Sequence, residues 1–210
     1  MQHDRDIREP LFIWLEETFG KVRILEEKTM GRSRADIAMV TENGLAGIEI
    51  KSDADDYARL ARQVRDYDRY FDWNILVSGT RHMQHIEEHI PAYWGILAAE
   101  SLEDQTLDFY LARKPGPNPN VSVEHKLSLL WRRELAHLLS VNGLPAYAAK
   151  SKRYVAACLA ERIPAGRLKR QICQELFERD YTTIEEEIRE FREEHGRRDK
   201  KRKRKKKQKD

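Results

Sequence analysis

Residues 44–53 read GLAGIEIKSD: an apolar strand pattern that stops at a carboxylate, one isoleucine and an ammonium. Side chains alternate faces along a strand, so Glu49 and Lys51 share one side while Ile48 and Ile50 take the other. The preceding segment ADIAMVT, residues 35–41, has the same strand character, and Asn43-Gly44 between the two is a hairpin signal. If Asn43 and Gly44 are the two turn residues, Glu42 pairs with Leu45, Asp36 comes opposite Lys51, and Ala38 comes opposite Glu49. Cross-strand partners share a face. Asp36, Glu49 and Lys51 are therefore expected on one side of the ribbon, provided no bulge shifts the parity.

The surrounding segments follow an alternating order. Ile7, Leu11, Trp14, Leu15 and Phe19 recur at helical spacing, with Asp4 or Asp6 as N-cap, Pro10 in the first turn and Gly20 as the stop. VRILEEKTM (22–30) reads as a strand before ADIAMVT. Residues 53–71 return to a helical pattern with Leu60, Val64, Tyr67 and Phe71 on one stripe. WNILVSG (73–79) is a buried strand, His82–His89 a short helix, and YWGILAA (93–99) and TLDFYLA (106–112) two more strands. This alternation predicts an α/β sheet flanked by helices. After the Pro-rich break KPGPNPN, the pattern is all-helical: 123–140, 151–162, 166–179 and 183–195. The expected organisation is a domain over 1–114, a linker over 115–122, a helical region over 123–195 and a tail over 196–210.

Charge separates body from tail. The chain carries a formal +3, but residues 196–210 hold eleven Lys/Arg against two Asp, which leaves a net −6 on residues 1–195. A run such as KKRKRKKKQK cannot bury apolar surface and repels itself, so a disordered tail with affinity for phosphates is expected. The apolar runs are too short to cross a bilayer and the charged start lacks a signal peptide's apolar segment, which points to the cytoplasm and away from the membrane. Cys158 and Cys173 lie in helical patterns without metal-type spacing and read as core residues.

Two carboxylates and an ammonium gathered at the end of an apolar strand are costly to desolvate unless something compensates, and a divalent cation between the acids is the usual compensation. Mg²⁺ accepts one or two carboxylates and completes its octahedron with water and phosphate oxygens. Phosphodiester hydrolysis is the chemistry such a group can perform, with Lys51 orienting the attacking water or screening charge.

Asp36 on one strand and Glu49-Ile50-Lys51 on the next resemble the signature of the PD-(D/E)XK, restriction-endonuclease-like nucleases. That family's helix, three strands, helix, strand core is similar to the order from Asp4 to Gly79. Gln63-Val-Arg-Asp-Tyr67 is similar to the QxxxY element of the RecB-type exonuclease branch, where Gln and Tyr support the site and contact nucleic acid. The string EIKSDADDYARLARQVRDYDRYFD with IPAYWGIL also resembles a little-characterised bacterial and phage group of predicted nucleases. The resemblance implies Asp36, Glu49 and the Ile50 backbone carbonyl as metal ligands. It further implies Lys51 as the catalytic group that assists the attacking water, and Gln63 and Tyr67 as site support or substrate-binding residues. Mg²⁺ is the expected cofactor, with Mn²⁺ able to replace it, and nucleic acid, DNA first, is the expected partner. Ala35 stands where the motif often has proline, and neither Glu16 nor Glu17 matches the glutamate that helix one often supplies.

Glu-x-Lys alone is uninformative here, since Glu26-Glu-Lys28 and Glu124-His-Lys126 also fit it. Other features have plainer readings: His82, His85 and His89 as a polar helix face, and Trp73 and Trp94 as core or rim aromatics. Arg32 and Arg34 fit a phosphate grip and a solvated loop equally. Lys150-Ser-Lys-Arg153 and Arg167-Leu-Lys-Arg170 could begin the helices of a DNA reader, but a helical subdomain packed on the core is the simpler expectation. Two other function classes fit the chain: a non-catalytic nucleic-acid-binding protein that keeps the fold, and an accessory protein-interaction module of a phage or defence system.

Overall fold

The computed structural model describes residues 4–51, 57–79, 85–104 and 106–179. Six strands form one mixed sheet in chain order: β1 (Arg23–Met30), β2 (Ser33–Thr41), β3 (Gly44–Lys51), β4 (Trp73–Gly79), β5 (Gly95–Ser101) and β6 (Leu107–Arg113). β1, β2 and β3 are antiparallel neighbours, β3, β4 and β5 run parallel, and β6 returns antiparallel to β5. Helix α1 (Asp4–Phe19) precedes the sheet, and α2 (Leu60–Tyr70) makes the crossover between β3 and β4. All of β3 is buried, as expected for a strand covered on both faces.

The alternation seen in the sequence sorts the two faces. Ile37, Met39, Ile48, Ile75, Val77 and Leu97 form one core with Ile7, Leu11 and Leu15 of α1. Val40, Leu45, Leu76 and Ile96 belong to a second core with Tyr67 and Phe71, which continues into the C-terminal helices through Leu127, Leu135, Leu159, Leu168 and Ile172. Gly47 lets α2 close on β3: a Cβ there would lie 2.3 Å from the Phe71 ring and 2.5 Å from the Tyr67 ring.

The hairpin register differs from the sequence expectation by two residues. Thr41 faces Gly44, so Glu42 and Asn43 are the turn residues, and neither has positive φ. Gly44 serves close approach instead, because a Cβ on it would lie 2.6 Å from the Asp72 carboxylate and 2.8 Å from the Trp73 ring. The pairing of Asp36 with Lys51 and of Ala38 with Glu49 is thereby corrected: Ala38 faces Gly47, and the register continued past Ile37–Ile48 brings Asp36 opposite Glu49. A shift of two keeps every side chain on its face.

The region after β6 holds α3 (Val123–Ser128), α4 (Arg132–Val141), α5 (Lys152–Arg162) and α6 (Ala165–Glu178). The single helix expected over 123–140 is broken at Leu129–Trp131, where Trp131 is extended and its N–H donates to the Glu134 carboxylate at 2.6 Å. Breaking there lets Leu127, Leu130, Leu135 and Leu138 all point inward. Residues up to 177 belong to one compact unit; the helix expected over 183–195 and the basic tail lie outside the described residues. Of the short helix expected over His82–His89, the described part is a 3₁₀ turn at Ile86–Glu88.

Asp72 fastens the helices to the sheet. Its carboxylate accepts from the Leu45 N–H at 2.8 Å and the Lys126 ammonium at 2.6 Å, and pairs with Lys169 at 3.0 Å. Burial pulls the Lys126 pKa down, and the Asp72 charge opposes that shift. The Pro-rich segment is held too: the buried Asn118 amide donates to the carbonyls of Asp68 and Phe71, both at 2.7 Å. Asn118→Ala should leave both carbonyls unpaired and cost about 2 kcal/mol, read as a lower urea midpoint at unchanged slope.

Candidate active site

The β2–β3 ladder ends at Ile37–Ile48, and beyond it a side chain takes over from the backbone. The Asp36 carboxylate accepts the Ile50 N–H at 2.9 Å, so the strands part where β3 reaches Glu49 and Lys51. Parting opens a polar cleft of about 360 Å³ lined by Asp36, Glu49, Ile50, Lys51 and Gln63 together with Ser33 and four arginines, Arg32, Arg34, Arg59 and Arg62.

Glu49 is 1% exposed and its carboxylate is fully engaged. Lys51 Nζ lies 2.8 Å from Oε1, the Gln63 amide donates to the same oxygen, and the Tyr67 hydroxyl donates to Oε2 at 2.6 Å. Gln63 and Tyr67 stand one turn apart on α2, which is why both reach one carboxylate. Tyr67 also ties the two strands together: its oxygen accepts the Asp36 N–H at 3.3 Å and lies 3.2 Å from the Ile48 carbonyl. Burial, followed by the charges of Glu49 and Asp36, pushes the Tyr67 phenol well above its ordinary range. The phenol therefore stays protonated and keeps donating to Glu49.

The structure thus gathers Asp36, Glu49, Lys51, Gln63 and Tyr67 around the end of β3. It also brings in residues that the sequence reading did not single out. Arg59, the N-cap of α2, and Arg62 stand four and one residues before Gln63 and line the same cleft, a spacing that was legible in RLARQ once the helix was placed. Arg8 of α1 had no such signal. Its guanidinium pairs with Glu27 at 2.7 Å and Glu26 at 3.3 Å and lies 3.8 Å from Asp36 Oδ1. Glu27, a non-glycine residue at φ 52°, also pairs with Arg34. Arg32 and Arg34 both line the cleft, and both are exposed to solvent.

The described histidines of the row have other contacts: His85 pairs with Glu88 at 3.3 Å and His89 stacks on Tyr57 with ring centroids 4.4 Å apart, while His82 lies outside the described residues. Trp94 is a core residue whose indole N–H donates to Asp68 at 2.8 Å, beside the Tyr93 hydroxyl at 2.5 Å on the same carboxylate. Burial first, and then the Asp68 bond, push the Tyr93 phenol up to about 12. An unfolded tyrosine gives up its proton near pH 10 while a folded phenol raised this way keeps its own. Above that pH the folded state holds more protons, and stability falls as pH rises. Unfolding free energy should therefore drop between about pH 10 and 12, with a shallower slope in Tyr93→Phe, as read by urea titrations across that window.

Asp36 and Glu49 offer hard oxygen ligands. Among the described residues no group of three or more His, Cys, Asp and Glu side chains could hold a metal ion. That donor set fits an ion content with one or two carboxylates, a carbonyl, waters and substrate oxygens, as Mg²⁺ is; it does not fit a site closed by protein side chains, as structural Zn²⁺ requires. Among the described residues no helix is long and apolar enough to cross a membrane.

Residues 11–203 match the family described as Bacteriophage P4 protein cII. No curated protein matches the chain. Among solved structures, SfsA of Pyrococcus furiosus in complex with Ca²⁺ is similar at 14% identity and a TM-score of 0.31. The match covers 54% of this chain and 61% of that one, a likeness too slight to bear on the site.

Proposed function

The chain belongs to the Bacteriophage P4 protein cII family, and we propose that it is a metal-dependent nuclease with a restriction-endonuclease-like core, hydrolysing phosphodiester bonds of DNA. One observation carries the reading: Asp36, Glu49 and Lys51 converge where β2 and β3 part, in a cleft rimmed by four arginines. Acids alone would repel a phosphodiester, and arginines alone would bind it without chemistry. Together they suit a phosphate that must be held and attacked.

Asp36, Glu49 and the Ile50 carbonyl would hold Mg²⁺, which when bound supplies Lewis-acid charge at the scissile phosphate. The chain's own groups do the rest. Arg32, Arg34, Arg59 and Arg62, which line the cleft, would grip phosphate oxygens of the bound strand. Lys51, held against Glu49 at 2.8 Å, is placed to orient a water for attack and to screen the charge that develops as the bond breaks. Gln63 and Tyr67 fix the Glu49 rotamer from behind, and the basic residues 197–209 add sequence-independent affinity for the backbone.

The test is a cleavage screen over single- and double-stranded DNA and RNA with Mg²⁺ and Mn²⁺, run beside Asp36→Ala. Product from the wild type alone supports the reading, and equal product from both proteins refutes it. A second reading has its own observation: every Glu49 oxygen already has a partner in Lys51, Gln63 or Tyr67, as in a binding protein that keeps the fold without the reaction. Salt-sensitive DNA binding without cleavage under any divalent ion would select it.

A further inference from the structure

A second hollow, of about 710 Å³, lies at the other end of α2 and belongs to none of the groups described above. Its volume falls within the roughly 300–1,000 Å³ of pockets that enclose a small ligand. The lining is mostly apolar, and α5 faces it with Ala156 and Ala157, where larger side chains would fill the space. Tyr70 and His125 form an edge-to-face aromatic wall with ring centroids 5.2 Å apart. The His125 Nδ1 atom is buried there without a hydrogen-bond partner. Lys152 and Arg153 stand exposed at the rim, where the Lys152 ammonium donates to the Ser128 carbonyl at 2.7 Å. Among the described lining residues the one acid, Glu124, is engaged by the Ser122 hydroxyl at 2.7 Å, which holds its carboxyl below the usual range.

We propose that this hollow between α3 and α5 binds a nucleotide, with the base against Tyr70, Ala156 and Ala157 and the phosphate on Lys152 and Arg153. An apolar chamber with an aromatic wall suits an aromatic heterocycle. Two rim cations suit the anion attached to it. A purely aliphatic ligand would make no use of the charge at the rim. A free phosphate would leave the apolar walls unused. Tyr70 lies seven residues beyond Gln63 on α2, about 10 Å along the axis, so a strand lying along that helix could also deliver a base to the hollow.

Calorimetric titration of the full chain with AMP, adenosine and inorganic phosphate, without divalent metal, tests the assignment. The mononucleotide should bind at least about tenfold more tightly than either fragment, because only it uses both the walls and the rim. Lys152→Glu with Arg153→Glu, and separately Ala157→Trp, which fills the mouth, should each weaken AMP binding by about tenfold or more. Both sets of positions are exposed, and unchanged thermal midpoints would confirm folding. Asp36→Ala should leave AMP binding unaltered, which separates this hollow from the arginine cleft and from the nuclease reading. A parallel titration with a single-stranded oligonucleotide identifies the source: weakening by Ala157→Trp there too marks a base within a strand, and weakening for AMP alone marks a free nucleotide, the site standing in both cases. No AMP binding at millimolar concentration, or binding lost in Asp36→Ala but kept in the rim and mouth variants, would overturn the proposal.

Discussion

Asp36→Asn should lower metal-dependent cleavage by about 10²–10⁴-fold while leaving the fold in place. The amide keeps an oxygen for the Ile50 N–H, now accepted at 2.9 Å, so the parting of β2 and β3 survives and only the charge is lost. Lys51→Ala should produce a loss of the same order through a different route, and the two can be told apart. Removing the ammonium leaves Glu49, 1% exposed, with Gln63 and Tyr67 alone. Breaking one side of a buried ion pair costs about 3 kcal/mol. Lys51→Ala should therefore show a lower unfolding midpoint together with the lost activity, whereas Asp36→Asn should show the lost activity with a near-normal midpoint. Single-turnover cleavage and urea titration of the same preparations measure both.

Gly47→Ala carries the largest expected effect on stability. The added methyl would lie 2.3 Å from Phe71, 2.5 Å from Tyr67 and 2.7 Å from the Asn74 amide oxygen, and β3 cannot retreat because α1 packs on its other face. All three neighbours are in the buried core or its hydrogen-bonded wall, so helix α2 must shift as a body. A loss of about 3 kcal/mol or more is expected. Because Tyr67 must move together with Phe71, its 2.6 Å bond to Glu49 should break, and activity should fall even at temperatures where the variant remains folded. A fully active Gly47→Ala with a wild-type midpoint would show that α2 does not sit on β3 as described.

Much of this was legible in the sequence because it rests on parity and periodicity. The ADIAMVT and GLAGIEIK alternation placed Asp36, Glu49 and Lys51 on one face whatever the turn, since any even shift of register preserves sides. The turn itself was not legible. Asn43-Gly44 looks like a pair chosen for positive φ, but Gly44 is small because Asp72 and Trp73, almost thirty residues on, press against it. A nonlocal contact leaves no mark on a local pattern. The break at Leu129–Trp131 was hidden for a similar reason: with apolar residues at nearly every position from Leu127 to Trp131, a continuous helix and two inward-facing helices share one pattern, and tertiary packing decides between them. Arg8 is the clearest case at the site. One basic residue in a charged first turn says nothing until α1 is laid beside β1 and β2, where it meets Glu27 and Asp36.

The central claim is that Asp36 and Glu49 share one divalent ion at the end of β3. Titrating Mn²⁺ into the full chain and following the electron-spin resonance of the free ion tests it without substrate or cleavage. The wild type should take up one Mn²⁺ per chain that is lost in both Asp36→Asn and Glu49→Gln and is displaced by excess Mg²⁺. Uptake that is the same in all three proteins, or absent from the wild type at millimolar Mn²⁺, would contradict the account.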